Sequence, residues 1–252
     1  MIHSILIIGQ SNMAGRGRVE EITPISNSDE KIKILRMGRW QNIYRPVNAD
    51  RVFSGVCLAE TFARAYADDK GVTVGIIPCA DGGTSLNQWA EGGLLYDHAV
   101  YMARLAMRTS ELAAILWHQG EADCSPALNP LYYGKISAIM KALRRDLGAE
   151  DVPILVGGLA DFLKDRTVSP NLVYYPCVND ALRRFANDTP RAAFVSAEGL
   201  THNGDNLHFN AASLYEFGYR YYSEFLKIED KNRVFEDKPD MSSAFRTDME
   251  LL

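Results

Sequence analysis

Cysteine is scarce: Cys57, Cys79, Cys124 and Cys177 are the only four in 252 residues, and no two form a Cys-x-x-Cys pair. That spacing excludes the usual zinc and dithiol signatures and leaves reduced, mostly buried thiols as the expectation. Long apolar runs are missing as well, none reaching the eighteen or so residues of a membrane span. The apolar run at the N-terminus lacks a basic leader and a small-residue cleavage site, so it reads as a strand and not as a signal peptide. A cytoplasmic location is the corresponding expectation. Positive charge is not in excess: 27 Lys and Arg stand against 32 Asp and Glu, a net charge of -5. Such a balance argues against a nucleic-acid or anionic-membrane partner, which would need a basic patch. A phosphate-binding loop is absent too. Counted from Gly9, its second glycine position falls on Ala14 and no lysine follows, and Gly-x-Gly-x-x-Gly is also missing there. No Pro-rich or Gly-Ser linker and no repeat of 20–50 residues divides the chain.

What is present is ordinary for a soluble globular protein: 47% hydrophobic and 23% charged residues. This length buries a full core without staples. Apolar runs predict strands over residues 5–8, 31–37, 72–78, 113–117, 153–157 and 193–196. Helical spacing predicts helices over 55–67, 98–109, 132–147, 178–186 and 211–226. The polar stretch after Arg16, with Pro24, Ser26, Asn27 and Ser28, reads as a loop. Strands alternating with helices imply an α/β fold whose mostly parallel sheet is covered on both faces. One domain over residues 1–228 is expected, followed by a charged tail, 229–252, that is either a surface strap or loosely ordered.

Three predicted strands end in polar, glycine-bearing loops: Gly9-Gln10-Ser11-Asn12, Asp81-Gly82-Gly83-Thr84-Ser85 and His118-Gln119-Gly120-Glu121. In a parallel sheet such ends share one edge, where ligands bind. A fourth loop carries Asp205 and His208, whose i, i+3 spacing places both side chains on one face of a helical turn. A serine hydroxyl needs a base, a neutral histidine suits that task, and a carboxylate orients the histidine. Backbone N–H groups at Ser11 and at the Gly82-Gly83 turn, with the Gln119 amide, supply candidate oxyanion donors. Each block alone has a plainer reading: a helix N-cap at Ser11, a polar first turn at Asp205-x-x-His208, a tight turn at Gly82-Gly83 and a surface amide at Gln119. The four together point to nucleophilic acyl transfer.

The order GQSN, GGTS, WHQGE and D-x-x-H resembles the SGNH hydrolases, and within them the carbohydrate-esterase branch of sialate O-acetylesterases and acetylxylan esterases. The resemblance spans Gly9 to about Leu226. It implies a flavodoxin-like three-layer αβα sandwich and no cofactor. It also implies Ser11 as nucleophile, His208 as general base, Asp205 as its supporting acid, and Ser11, Gly83 and Gln119 as the oxyanion hole. The third block carries Gln119 where the broader superfamily has asparagine, as in the carbohydrate-esterase branch. The expected substrate is a small-molecule or oligosaccharide acetyl ester, cleaved through an acetyl-Ser11 intermediate. Acetylated xylo-oligosaccharides are the first choice and O-acetyl sialic acid the alternative.

Other residues compete for roles. Gln10, Asn12, Thr84, Trp89, His118 and Glu121 are candidates to line or support the site, and Glu121 rivals Asp205 as the acid. His118, Asp123, His202, Asp205 and His208 are metal ligands by type but lack a compact ligand spacing, so no metal is expected. Trp40, Tyr44, Trp89 and Tyr96 either stack on sugar faces or pack in the core. A carbohydrate-binding module with a relic triad is the non-enzymatic alternative, and a pure binder has no need of the serine, histidine and acid.

Overall fold

β1 (Ile2–Gly9) lies in the middle of the sheet, and its sequence says why: Ile5, Leu6, Ile7 and Ile8 are apolar on both faces and at most 1% exposed. The computed structural model describes residues 1–23, 30–236 and 238. The loop expected over 16–28 is therefore seen only as far as residue 23, and Pro24, Ser26, Asn27 and Ser28 lie outside the described residues. The remaining strands are β2 (Ile32–Arg36), β3 (Arg39–Asn42), β4 (Thr73–Pro78), β5 (Glu111–His118), β6 (Ile154–Gly157) and β7 (Ala192–Val195). They form one sheet in the order β3-β2-β4-β1-β5-β6-β7. β3 is antiparallel to β2; every other pairing is parallel. The five strands β4-β1-β5-β6-β7 follow the flavodoxin order 2-1-3-4-5, with the β2–β3 hairpin added at one edge.

The helices are α1 (Ser11–Ala14), α2 (Ala59–Lys70), α3 (Leu94–Ala106), α4 (Tyr132–Leu147), α5 (Tyr175–Asp188) and α6 (Ala211–Ile228). α2 packs beside α6 on one face of the sheet, and α3, α4 and α5 pack in succession on the other. The α6 stripe Phe217, Tyr221 and Phe225 is at most 2% exposed, and burying each such ring contributes about 1.5–3 kcal/mol. Asn210 caps α6, its side chain accepting from Ser213 N at 2.8 Å, a bond typically worth about 1 kcal/mol. The cap fixes the start of α6 just after His208.

Element limits differ from expectation at several places. α2 begins at Ala59, not at 55, because Val56 is used earlier in a bridge to Gly17. α3 begins at Leu94, directly after Gly93. β3 was not expected at all. In the tail, Glu229 pairs with Lys70 at 2.8 Å, Arg233 donates to Leu112 O at 2.9 Å, and Phe235 stacks on His3 with centroids 3.8 Å apart. Up to residue 236 these contacts tie the chain to the starts of β1 and β5. Residues 237 and 239–252 of the expected tail lie outside the described residues. No helix among the described residues is long and apolar enough to cross a membrane.

Candidate active site

The chain leaves β1 through Gly9, where β1 and β5 come so close that a Cβ would sit 2.1 Å from His118 O. Its φ of +129° is also one that other residues rarely adopt. Gln10 N then donates to His118 O at 2.9 Å, and Gln10 O receives Met13 N and Ala14 N. This tight turn sets Ser11 as the first residue of α1. The ends of β1 and β5 flank the point where the strand order reverses, the place where such sheets bind ligands.

Ser11, His208 and Asp205 form one hydrogen-bonded chain. His208 Nε2 is 3.0 Å from Ser11 Oγ, and His208 Nδ1 is 2.7 Å from Asp205 Oδ2. The other Asp205 oxygen accepts the backbone N–H groups of Leu207 and His208 at 2.9 and 2.8 Å. Burial pushes the Asp205 carboxyl upward, but these donors and the imidazole outweigh it and hold the group below the usual carboxylate range. His202 completes the loop: its Nδ1 accepts from Gly204 N and Asn206 N at 3.0 and 3.1 Å. That ring braces the Asp205 turn.

Asn12 ties the two halves together. Its amide donates to Leu207 O at 3.1 Å and to Glu121 Oε1 at 2.6 Å, and its oxygen accepts Phe209 N at 3.1 Å. The backbone on both sides of His208 is thereby clamped to the residue following Ser11. Burial raises the Glu121 carboxyl, but His118 and Asn12 outweigh it and keep the group below its ordinary range. Glu121 faces Asn12, and His118 Nε2 at 3.7 Å, while His208 takes Asp205 as its carboxylate partner. His118 is fully buried, edge-on to Phe209 and Phe217. Gln10 Oε1 accepts Gly120 N and Ala122 N, both at 3.4 Å, holding the Glu121 loop against the Ser11 turn.

The second loop is fixed by a network that the sequence pattern did not indicate. Arg16 binds Asp50 through both guanidinium arms, at 3.0 and 2.6 Å, and the pair is about 95% buried. Asp50 in turn accepts Gly82 N at 2.9 Å and Ser54 Oγ at 2.7 Å. Burial raises this carboxyl, but the guanidinium, the hydroxyl and the N–H together hold it low. A Cβ on Gly82 would lie 3.4 Å from that of Ser11, so the Gly82-Gly83 peptide borders the serine. Gly83 has φ +80°, and its N–H, like that of Ser11, makes no hydrogen bond among the described residues.

One expectation is corrected. Gln119 is fully buried, and both its amide hydrogens are engaged, with Thr84 O at 3.0 Å and Asp123 Oδ2 at 2.6 Å. Neither is free for a substrate oxygen, and Gln119 braces the Gly83 loop instead. Asp123 also accepts Leu86 N at 3.0 Å, and Tyr132 donates to Gln119 O at 2.6 Å, which completes the brace. Trp89 is 1% exposed, donates to Thr84 Oγ1 at 3.0 Å and packs edge-on against Trp117. Of the two readings open to it, Trp89 takes the core one. Thr84 is likewise a buried link, donating to Asp81 O at 2.7 Å. The other aromatics also pack: Trp40 donates to Thr109 Oγ1, Tyr44 lies under Arg36, and Tyr96 donates to Asp146.

A cleft of about 390 Å³ opens here, lined by Gln10, Gly83, Glu121, Ser125, Asn171 and Leu207 among others. A larger cavity of about 760 Å³ lies between α4 and α5 against Ile154 and Phe185; Ser11, Asp205 and His208 line neither space, and the smaller cleft is the one bordered by Gln10 and Gly83, the neighbours of the serine turn. Among the described residues no three His, Cys, Asp or Glu side chains group as ligands for one ion.

The chain can now be set beside known proteins. It is 28% identical over 242 residues to a "probable carbohydrate esterase" of Arabidopsis thaliana, covering 84% of this chain and 86% of that protein. A solved Arabidopsis thaliana structure superposes with a TM-score of 0.81 at 27% identity, covering 90% of this chain and 99% of the other. NanS superposes with a TM-score of 0.73 at 16% identity, covering 90% and 97%, a likeness of fold. The layered sheet is that of the SGNH hydrolases. The model of the family described as "Carbohydrate esterase, sialic acid-specific acetylesterase" matches residues 2–227. The chain therefore belongs to that carbohydrate esterase family.

Proposed function

We propose that the protein removes O-acetyl groups from neutral sugars, with acetylated xylo-oligosaccharides as the first substrates to try. The reading is carried by the continuous chain from Asp205 through His208 to Ser11 at 2.7 and 3.0 Å. Ser11 Oγ attacks the acetyl carbonyl carbon while its proton passes to His208 Nε2. The oxyanion is held by the N–H groups of Ser11 and Gly83. Collapse breaks the bond to the sugar oxygen, which takes the proton from His208. Water, deprotonated by the same nitrogen, then releases acetate from acetyl-Ser11. Asp205 keeps the proton of the neutral ring on Nδ1 and stabilises the imidazolium.

The choice of a neutral sugar is supported by the cleft. Its lining is otherwise uncharged around Glu121, whose carboxyl is turned inward to Asn12, and holds no lysine or arginine. A sugar bearing its own carboxylate would find no cation in that lining to pair with. The description of the family favours the second reading, O-acetyl sialic acid. The test is acetate release from acetylated xylo-oligosaccharides and from O-acetyl sialic acid, for the wild type and Ser11→Ala side by side. Release from the neutral sugar alone, lost in Ser11→Ala, is the expected result. Faster release from the sialic acid would install the second reading. No Ser11-dependent release from any acetyl ester, including a small activated one, would leave a binding module.

A further inference from the structure

We infer that Arg51, which touches no reacting atom, sets the direction and donor strength of the Gly83 N–H by holding the carbonyl of the same amide. This rests on the esterase reading above, in which that N–H meets the oxyanion.

Arg51 Nη2 donates to Gly82 O at 2.9 Å. Gly82 C=O and Gly83 N–H belong to one planar trans peptide, so they point in opposite directions. A guanidinium on the oxygen therefore fixes where the N–H points. The preceding peptide is fixed as well, because Gly82 N donates to Asp50 Oδ2 at 2.9 Å. The Gly83 N–H, free of partners among the described residues, belongs to a residue lining the cleft, and Gly82 abuts Ser11. A cation bonded to the carbonyl also draws electron density from the amide nitrogen. Hydrogen-bonded chains of this kind strengthen each member by about 10–30%, and a charged donor is stronger than a neutral one.

Arg51 is itself held as a fork. Its Nη1 donates to Asp50 O at 2.8 Å and to Asp81 Oδ1 at 2.7 Å. The side chain is 42% exposed, and ion pairs of that kind contribute little to folding. A catalytic effect of replacing it is therefore separable from a loss of fold. Nothing in the local pattern pointed to this role, since Arg51 lies in a loop 31 residues before Gly82.

The experiment compares wild type, Arg51→Met, Arg51→Lys and Arg51→Ala on one acetyl ester whose hydrolysis by the wild type is lost in Ser11→Ala. Removing an oxyanion donor outright costs about 10²–10³ in kcat. A donor that stays but is weakened and loosened should cost about tenfold. Arg51→Met is expected to lower kcat about tenfold with KM within about twofold and the melting temperature nearly unchanged. Arg51→Lys, a charge without the fork, falls between, and methylguanidinium restores part of the rate to Arg51→Ala. With [15N]glycine-labelled protein, the Gly83 amide proton is expected to move upfield in Arg51→Met. Unchanged kcat and an unmoved Gly83 resonance in Arg51→Met would overturn the inference while leaving the esterase reading intact. So would a fall in kcat matched by a fall in melting temperature, which would make Arg51 only a brace. Absence of Ser11-dependent hydrolysis in the wild type would overturn the esterase reading, and the inference with it.

Discussion

Replacing Asn12 by alanine removes the clamp that joins the serine turn to the histidine loop. Asn12 is 1% exposed, so the three groups it satisfies lose partners where water does not readily replace them. These are Leu207 O, Phe209 N and Glu121 Oε1. At about 1–3 kcal/mol for each buried group left unpaired, and with some relaxation, the loss is about 3–5 kcal/mol. That is a large part of a typical stability of about 5–15 kcal/mol, so the variant should fold and melt about 10 °C lower. Activity should suffer separately. His208 sits between the two clamped peptides, and a displacement of about 1 Å of a catalytic group costs on the order of 10²-fold. The assay is urea unfolding together with kcat and KM for Asn12→Ala, Glu121→Gln and the double variant. A coupling well above 0.5 kcal/mol in folding is expected between the two positions, because they share a buried charged hydrogen bond. Asn12→Ala with kcat within twofold of wild type, even if less stable, would refute the positioning role. Unchanged stability would refute the clamp itself.

Asp205→Asn, which forces the wrong tautomer on His208, should lower kcat by about 10⁴-fold, whereas Glu121→Gln keeps an acceptor for Asn12 and should cost about tenfold or less. The reverse order in steady-state kinetics would give Glu121 the acid's role. His3 offers a test of pH dependence. Burial, with Arg233 beside it, lowers its pKa to about 4. The unfolded chain then binds a proton near 6.5 that the folded chain does not, so stability contributed by the neutral ring is lost as pH falls from about 6.5 towards 4. That interval corresponds to at most about 3 kcal/mol, and screening should reduce it to about 1–2. His3→Phe should flatten the slope of unfolding free energy against pH in that window, and an unaltered slope would refute the assignment.

The sheet was legible where strands are buried on both faces. Residues 5–8, 72–78 and 113–117 are apolar runs, and each ends at a polar loop on the ligand-binding edge. β3 was not legible, because Arg39-Trp40-Gln41-Asn42 lies at an edge and has neither an apolar run nor alternation. Helix starts slipped for a related reason. Val56 and Cys57 are fully buried, but in loop and bridge conformations, so apolar spacing alone assigned them to α2. The approach of Ser11, Asp205 and His208 was readable from strand ends and i, i+3 spacing. What held them there was not, because Asn12 meets Leu207 across 195 residues and Arg16 meets Asp50 across 34.

Gln119 shows why motif reading errs in a particular direction. A pattern assigns chemistry to a conspicuous side chain, whereas burial decides whether that side chain has a free hydrogen. Gln119 has none left once Thr84 O and Asp123 Oδ2 are served. The oxyanion hole of the proposed reaction then consists of backbone N–H groups alone, and backbone donors are placed by whatever grips their loops. For Ser11 that is Gly9, with no room for a Cβ, and the Gln10–His118 bond. For Gly83 it is Arg16 and Asp50 before the turn and Gln119 with Asp123 after it. Substitutions at these buried polar positions should therefore reduce turnover without touching substrate, and their effects should fall on kcat before KM, since the N–H groups they position bind charge that develops only in the transition state.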